Sequence, residues 1–281
     1  MNDEKLSLRD IQVQANKVLD KLDSVCKLAN VKYMLAYGTL IGAVRHNGFI
    51  PWDDDVDIWM VREDYDRFLK YCSQHEQDLY PFKLCTRANT LNYPYYISRF
   101  ANNDYKYITK LSNGVSPDIG IFIDIYPLDE YGKTIEYGKK IEKRIAIQNV
   151  LYWAYIEKRS FTGGINAVIR WFVHYLMRLL HGKNYSQVIN SKIDKNLNKL
   201  RGGSDYLGLP GWETYRIFFP KELFAQTIMH KFENGEYPIP KEYDEILTMI
   251  YGDYMKLPPE EKRYPHHEYE VIKRQPISEQ K

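Results

Sequence analysis

Four aspartates crowd into five positions, Asp53, Asp54, Asp55 and Asp57, among Ile50, Trp52, Val56, Ile58, Trp59 and Met60. Carboxylates set against apolar side chains cost free energy unless something positive meets them. If Asp55-Val56-Asp57-Ile58 runs as a strand, alternation sends both acids to one face and Val56 and Ile58 to the other. Two carboxylates about 4 Å apart repel by about 4 kcal/mol at an effective dielectric near 20. A divalent cation removes that repulsion, so the pair reads as a hard-metal site. A hard metal beside a turn that accepts phosphate points to phosphoryl chemistry.

Such a turn stands sixteen residues upstream of Asp55. Gly38-Thr39 joins an expected strand to an expected helix start. Glycine allows close backbone approach, the helix N-terminus offers N–H groups to an anion, and the Thr39 hydroxyl adds one donor. Arg45 follows that helix with a fork suited to phosphate, next to His46. Arg99 is a weaker clamp of the same kind. A third carboxylate is expected from another strand. Asp124 is embedded in the β-branched run Ile119 to Tyr126; its rivals Asp118 and Asp129 lie near proline and read as turn residues. A calcium loop is rejected: Asp53, Asp55, Asp57 and Asp64 fit its ligand spacing, but Ile58 stands where the loop needs glycine.

The elements that must position these groups follow from pattern. Ser7 to Asn30 reads as a helix, with Ser7 and Asp10 as a capping pair and apolar residues at Ile11, Ala15, Val18, Leu22, Val25 and Ala29. A short strand spans Tyr33–Tyr37, a short helix Thr39–Arg45 and a loop 46–52. The acidic strand and a helix over Glu63–Cys72 come next. Later strands are expected at Phe82–Thr86, Tyr95–Phe100 and Ile119–Tyr126. From about Lys139 to Leu180 helical periodicity dominates. Short strands and turns fill 201–240, and Glu242–Tyr251 forms a helix. The segment Tyr251 to His267 holds too many Tyr, Met, Leu and Pro for a loose tail and is expected to fold back on the core; its adjacent His266 and His267 are not a metal pair by spacing. The expected organisation is a catalytic core over 1–135, a helical subdomain over 136–200 and a C-terminal segment over 201–281 that completes the substrate pocket.

Composition narrows the function classes. The 39 basic and 37 acidic residues give +2, which offers no global attraction for nucleic acid. Three cysteines, with no CxxC pair, argue against a disulfide framework and for a reducing compartment. No signal peptide is expected from Met1–Lys5, and no apolar run approaches the ~18 residues that span a membrane. The 25 tyrosines serve as amphipathic surface or, in a sharper reading, as ring faces for carbohydrate or cation. Residues 166–181 are apolar with basic punctuation, read either as a core helix or as an interfacial one.

Four blocks together resemble the LicD family: Tyr37 to His46, Gly48 to Ile58, Ile123 to Asp129 and Tyr251 to Pro259. The resemblance covers about residues 10–270 and is weakest over about 135–200. It implies an α+β fold: a nucleotidyltransferase-like mixed β-sheet flanked by helices, with a mainly helical subdomain inserted or appended. By the resemblance, Asp55, Asp57 and Asp124 are the catalytic and metal-binding acids, and Gly38 and Thr39 bind phosphate. Asp53 is a further ligand or supporting acid. Arg45, His46, Trp52, Tyr251 and Tyr254 complete the substrate contacts, with Trp52, Tyr251 and Tyr254 offered as walls for a quaternary ammonium. The implied cofactor is Mg2+, with Mn2+ as its substitute. The implied partners are a CDP-alcohol donor, CDP-choline first, and a glycan or lipid-linked glycan acceptor. From the cysteines and the absence of an expected signal peptide the protein is placed in the cytoplasm, with the interfacial reading of 166–181 adding peripheral contact at the inner face of the membrane. A nucleotidyltransferase, an Asp-x-Asp glycosyltransferase and a non-catalytic binding protein are the alternatives.

Overall fold

Ser7 fixes where the first helix starts. Its hydroxyl accepts the Asp10 N–H while the Asp10 carboxylate accepts the Ser7 N–H, the reciprocal cap the sequence predicts. The computed structural model describes residues 5–91, 93–109, 117–156, 165–211, 217–265 and 269–275, so His266 and His267 lie outside it. Helix α1 (Leu8–Ala29) buries Ile11, Ala15, Val18, Leu22 and Val25 on one stripe and ends at Asn30, whose φ of 51° is a left-handed cap. Burying each large apolar side chain of this kind stabilises the fold by about 1.5–3 kcal/mol. The stripe rests against the sheet, as expected.

Strand β1 (Met34–Leu35) is shorter than predicted because Tyr37 already belongs to helix α2 (Tyr37–His46). Strand β2 (Asp57–Val61) is followed by α3 (Arg62–Gln74) and the single turn α4 (Glu76–Leu79). Then come β3 (Phe82–Cys85), β4 (Ser98–Asn102), β5 (Tyr105–Thr109) and the long β6 (Ile121–Glu130). Helices α5 (Ile135–Ile156), α6 (Ile165–His181) and α7 (Tyr185–Leu200) follow. The remainder is β7 (Tyr206–Gly208), β8 (Phe219–Pro220), β9 (Thr227–Phe232), β10 (Gly235–Pro240), α8 (Tyr243–Tyr251) and β11 (Tyr269–Lys273).

The main sheet is mixed, in the order β1-β2-β6-β4-β3. Only β2 and β6 run parallel, and β7 and β8 extend the far end of β6. Helices α1 and α3 pack on the sheet, and the α+β class holds. Helices α5 and α7 build a second apolar cluster from Ile141, Ile145, Tyr152, Tyr185, Ile189, Ile193 and Leu197. The C-terminal segment returns to the core, with β11 pairing antiparallel to β5.

Asp129 corrects one expectation. It is a buried residue of β6, not a turn, and it accepts from Nε and Nη2 of Arg62 at 2.7 and 2.6 Å. The strand passes through Pro127 without losing a ladder bond. The Asp124 N–H points to β2, donating to the Val56 carbonyl at 2.9 Å, so alternation aims Pro127 at the other side. There β4 has already ended opposite Ile125 and β7 does not begin until Asp129.

Candidate active site

Register brings two of the predicted acids together. Asp57 lies opposite Asp124 in the parallel β2–β6 ladder, so their side chains emerge on the same face. Asp55 sits two residues before β2, not within the strand as expected. Loop residues Asp53, Asp54 and Asp55 present carboxylate oxygens within 4.8 Å of one another. Among the described residues this trio, rather than the predicted set of Asp55, Asp57 and Asp124, is the tight acidic cluster. Helix α1 steadies the loop, with Gln12 donating to the Asp53 carbonyl at 2.8 Å.

Asp124 differs most from expectation. Its carboxylate is held by Arg99 on β4, Nε to Oδ1 at 2.6 Å and Nη2 to Oδ2 at 3.3 Å, with both side chains buried. Arg99 faces Asp124 directly across the antiparallel β4–β6 ladder. Its guanidinium is sandwiched between the rings of Tyr95 and Phe122, 3.7 Å from each centroid. Burial is the largest influence and would lower the Arg99 pKa, but the charge and hydrogen bond of Asp124, together with Tyr93 and Tyr95, outweigh it and hold the group well above its usual value. Asp124 is therefore one half of a buried ion pair rather than a carboxylate open on all sides to a cation.

Two atoms flanking that pair are unsatisfied. Asp57 Oδ1 and Arg99 Nη1 are both buried and make no hydrogen bond to protein. They stand on the strands either side of Asp124, where a charged ligand would supply the missing partners. Burial first, then the charges of Asp55 and Asp124, push Asp57 well above the usual carboxylate range. Burial and the neighbouring charge of Asp55 push Asp53 up to about 8.

Helix α2 begins at Tyr37 and carries Gly38 and Thr39 in its first turn. Its N-cap residue is Ala36, which offers no side-chain cap. Gly38 lies against Asp53: a Cβ there would meet Asp53 Oδ2 at 2.7 Å. Thr39 Oγ1 accepts the Asp57 N–H at 2.9 Å, which ties the turn to the start of the acidic strand. Tyr37 enters the helix at φ 45°, a strained angle for a tyrosine, with edge contacts to Trp59 and Tyr126 at 4.9 and 5.1 Å.

A cleft opens on Asp54, Asp55, Asp124 and Arg99, with Phe122, Tyr107 and Tyr269 among its walls. The Tyr107 and Tyr269 rings lie 4.4 Å apart, and the Tyr269 hydroxyl donates to the Asp54 carbonyl at 2.9 Å. Sequence reasoning missed these rings, because the β5–β11 ribbon that carries them joins segments 160 residues apart. The predicted walls do not line this cleft. The Trp52 ring faces the Arg263 guanidinium at 5.7 Å, Tyr254 donates to Asp244 at 2.6 Å, and Tyr251 is partly exposed on α8. Arg45 is also committed elsewhere, to the Tyr254 carbonyl at 2.6 Å and to His46 Nε2 at 3.0 Å. It pins the C-terminal segment against α2, and its charge, after burial, keeps His46 below its ordinary pKa.

A family signature described as LicD/FKTN/FKRP, nucleotidyltransferase domain, matches residues 30–151, the stretch that supplies Gly38, the acidic loop, Arg99 and Asp124. The chain is 32% identical over 271 residues to the lipopolysaccharide cholinephosphotransferase LicD of Haemophilus influenzae, covering 94% of this chain and 97% of that protein. The chain belongs to the LicD family. Two further likenesses are local. An uncharacterised Rickettsia typhi protein is 40% identical over 78 residues, 28% of this chain and 23% of its own. The ribitol 5-phosphate transferase FKRP of Homo sapiens is 42% identical over 57 residues, 20% of this chain and 11% of its own.

Proposed function

We propose that this LicD-family chain transfers an alcohol phosphate, phosphocholine from CDP-choline first, to a hydroxyl of a glycan or its lipid-linked precursor and releases CMP. The observation that carries the proposal is the pair of buried, unsatisfied atoms beside Asp124: Asp57 Oδ1 calls for a cation and Arg99 Nη1 for an anion. A metal-bound diphosphate supplies both. The relative that matches almost the whole chain carries the name of a cholinephosphotransferase, which supports the same reading.

The hard oxygen donors fit Mg2+ or Mn2+, with Asp55 and Asp57 as holders and Asp53 beside them. When bound, such an ion neutralises phosphate charge and acts as a Lewis acid. The protein's own groups do the rest. The N–H groups at Gly38 and Thr39 bind a phosphate oxygen, and the Thr39 hydroxyl, already accepting from Asp57, has its proton to give. Arg99 Nη1 donates to the diphosphate while the rest of its fork stays on Asp124. The acceptor hydroxyl attacks the distal phosphorus, its O–P bond forms, the bridging P–O bond breaks and CMP leaves with that oxygen. Asp53, whose pKa stands near 8 in the metal-free protein, is placed to take the hydroxyl proton.

The test is a donor screen. CDP-choline, CDP-ribitol and CDP-glycerol are each incubated with Mg2+ and a lipopolysaccharide or cell-wall glycan, and CMP release and labelled alcohol in the glycan are measured. One CDP-alcohol is expected to give equal amounts of both, with Asp55→Asn and Asp57→Asn losing turnover by about 100-fold or more while still folded. Release of pyrophosphate with the nucleotide on the product would instead establish a nucleotidyltransferase. Full activity in both variants would remove the proposed site.

A further inference from the structure

Helix α6 carries an apolar face that the fold leaves uncovered. Val168, Phe172, Tyr175 and Leu179 recur at four-, three- and four-residue steps, and Ile169 and Leu180 flank them. All six are exposed, from 37% at Val168 to 83% at Leu179. His174 is buried and Met177 packs on the apolar cluster of α5 and α7, so that side is satisfied. Helix α6 contains no acidic residue. Among the described residues no helix is long and apolar enough to cross a membrane.

Charge says which surface. Residues 135–200 hold twelve Lys and Arg against four Asp and Glu, a net +8. The rest of the chain holds 27 basic and 33 acidic residues, a net −6, which is how +2 overall conceals the asymmetry. On α5, Lys140, Lys143, Arg144, Ile147 and Val150 are all exposed and share one helical face, mixing basic and apolar side chains as an interfacial helix does.

We propose that α5 and α6 seat the protein on an anionic bilayer, with the α6 stripe among the acyl chains and the basic α5 face at the headgroups. A second copy is the poorer occupant, because pairing would bring two +8 surfaces together. This inference goes beyond the transfer reaction and is tested without it.

The full chain is floated with vesicles of phosphatidylcholine alone and with vesicles containing about one third phosphatidylglycerol. Binding is expected to be about tenfold or more stronger to the anionic vesicles and to fall as salt is raised. The double change Phe172→Ser with Leu179→Ser should weaken binding about tenfold and leave the melting temperature unchanged, since both side chains are already in water. Lys140→Glu with Lys143→Glu should remove most of the preference for anionic vesicles. Equal binding to both vesicles, no binding to either, or a wild-type dimer that the serine variant dissociates would overturn the proposal.

Discussion

Replacing Arg99 with methionine tests the centre of the site most sharply. The change removes a guanidinium that holds both oxygens of Asp124 and leaves that carboxylate buried beside Asp57. Breaking a buried pair by deleting one partner costs about 3–5 kcal/mol, because the survivor keeps its desolvation penalty. The contacts of the guanidinium with Tyr95 and Phe122 are lost as well, but methionine refills much of that slot, so about 4 kcal/mol is the working figure. For a chain of this size about 2–4 °C of melting temperature accompanies each kcal/mol, which predicts a fall of about 8–16 °C. Asp124→Leu should cost a similar amount by stranding the arginine. The double variant should recover most of the loss, with a coupling energy of about 3 kcal/mol.

The assay is thermal or urea unfolding of the four proteins in a double-mutant cycle, with and without Mg2+. In the Arg99→Met variant the freed Asp124 carboxylate joins Asp57 as a cation ligand, so Mg2+ should return more stability there than in the wild type. A loss below about 1 kcal/mol for either single change, with no coupling between them, would refute the buried pair and with it the account of why Asp124 differs from Asp57.

Gly38→Ala places a methyl 2.7 Å from Asp53 Oδ2, so turnover should fall at least about tenfold while stability, measured by melting, moves by less than about 1 kcal/mol. Thr39→Val removes the hydroxyl that accepts the buried Asp57 N–H and should cost about 1–3 kcal/mol in urea unfolding, with a loss of turnover on top. In metal-free buffer the raised pKa of Asp53 means that the folded state keeps a proton the unfolded chain has lost. Stability should therefore be greatest below pH 4 as far as this group is concerned and decline as pH rises towards 8, by at most about 1.4 kcal/mol per unit. Saturating Mg2+ should flatten that slope by displacing the proton, and Asp53→Asn should reduce it, leaving the part due to Asp57, whose carboxyl pKa burial also raises; an unchanged slope in the variant would assign it wholly to other groups.

Local features of this fold were legible in the sequence, and non-local pairings were not. Ser7 and Asp10 announce the start of α1 because a cap is made within one turn. The run from Glu242 to Tyr251 announces α8 for the same reason of short range. The prediction that a third acid arrives from a later strand succeeds at the level of the backbone, where Asp124 stands opposite Asp57. It fails at the level of the side chain, because a third strand also contributes. Whether Asp124 is open or paired depends on the β4 register, which sets Arg99 and not Ser98 beside it. A shift of one residue would turn Arg99 to the other face, and no window around residue 99 records that choice. Arg45 shows the converse. Its position after a phosphate-binding turn suggests a clamp, yet Tyr254, 209 residues away, offers a carbonyl at 2.6 Å and takes it.

The Arg99–Asp124 pair also bears on how a site this acidic could face the diphosphate that the proposed reaction requires. Asp53, Asp55, Asp57 and Asp124 together present four carboxylates, and neighbours about 4 Å apart repel by about 4 kcal/mol each at an effective dielectric near 20. Protonation of Asp53 and Asp57 relieves the strain in the metal-free protein, which is why both stand above the usual carboxylate range. The guanidinium of Arg99 offsets the Asp124 charge, so cation binding has to compensate only the loop acids and Asp57. That division leaves two buried atoms without a protein partner, Asp57 Oδ1 and Arg99 Nη1, on the strands either side of Asp124. Had the chain placed a lysine at position 99, the compact ammonium would lack the planar fork needed to hold both oxygens of Asp124 and still present a donor outward.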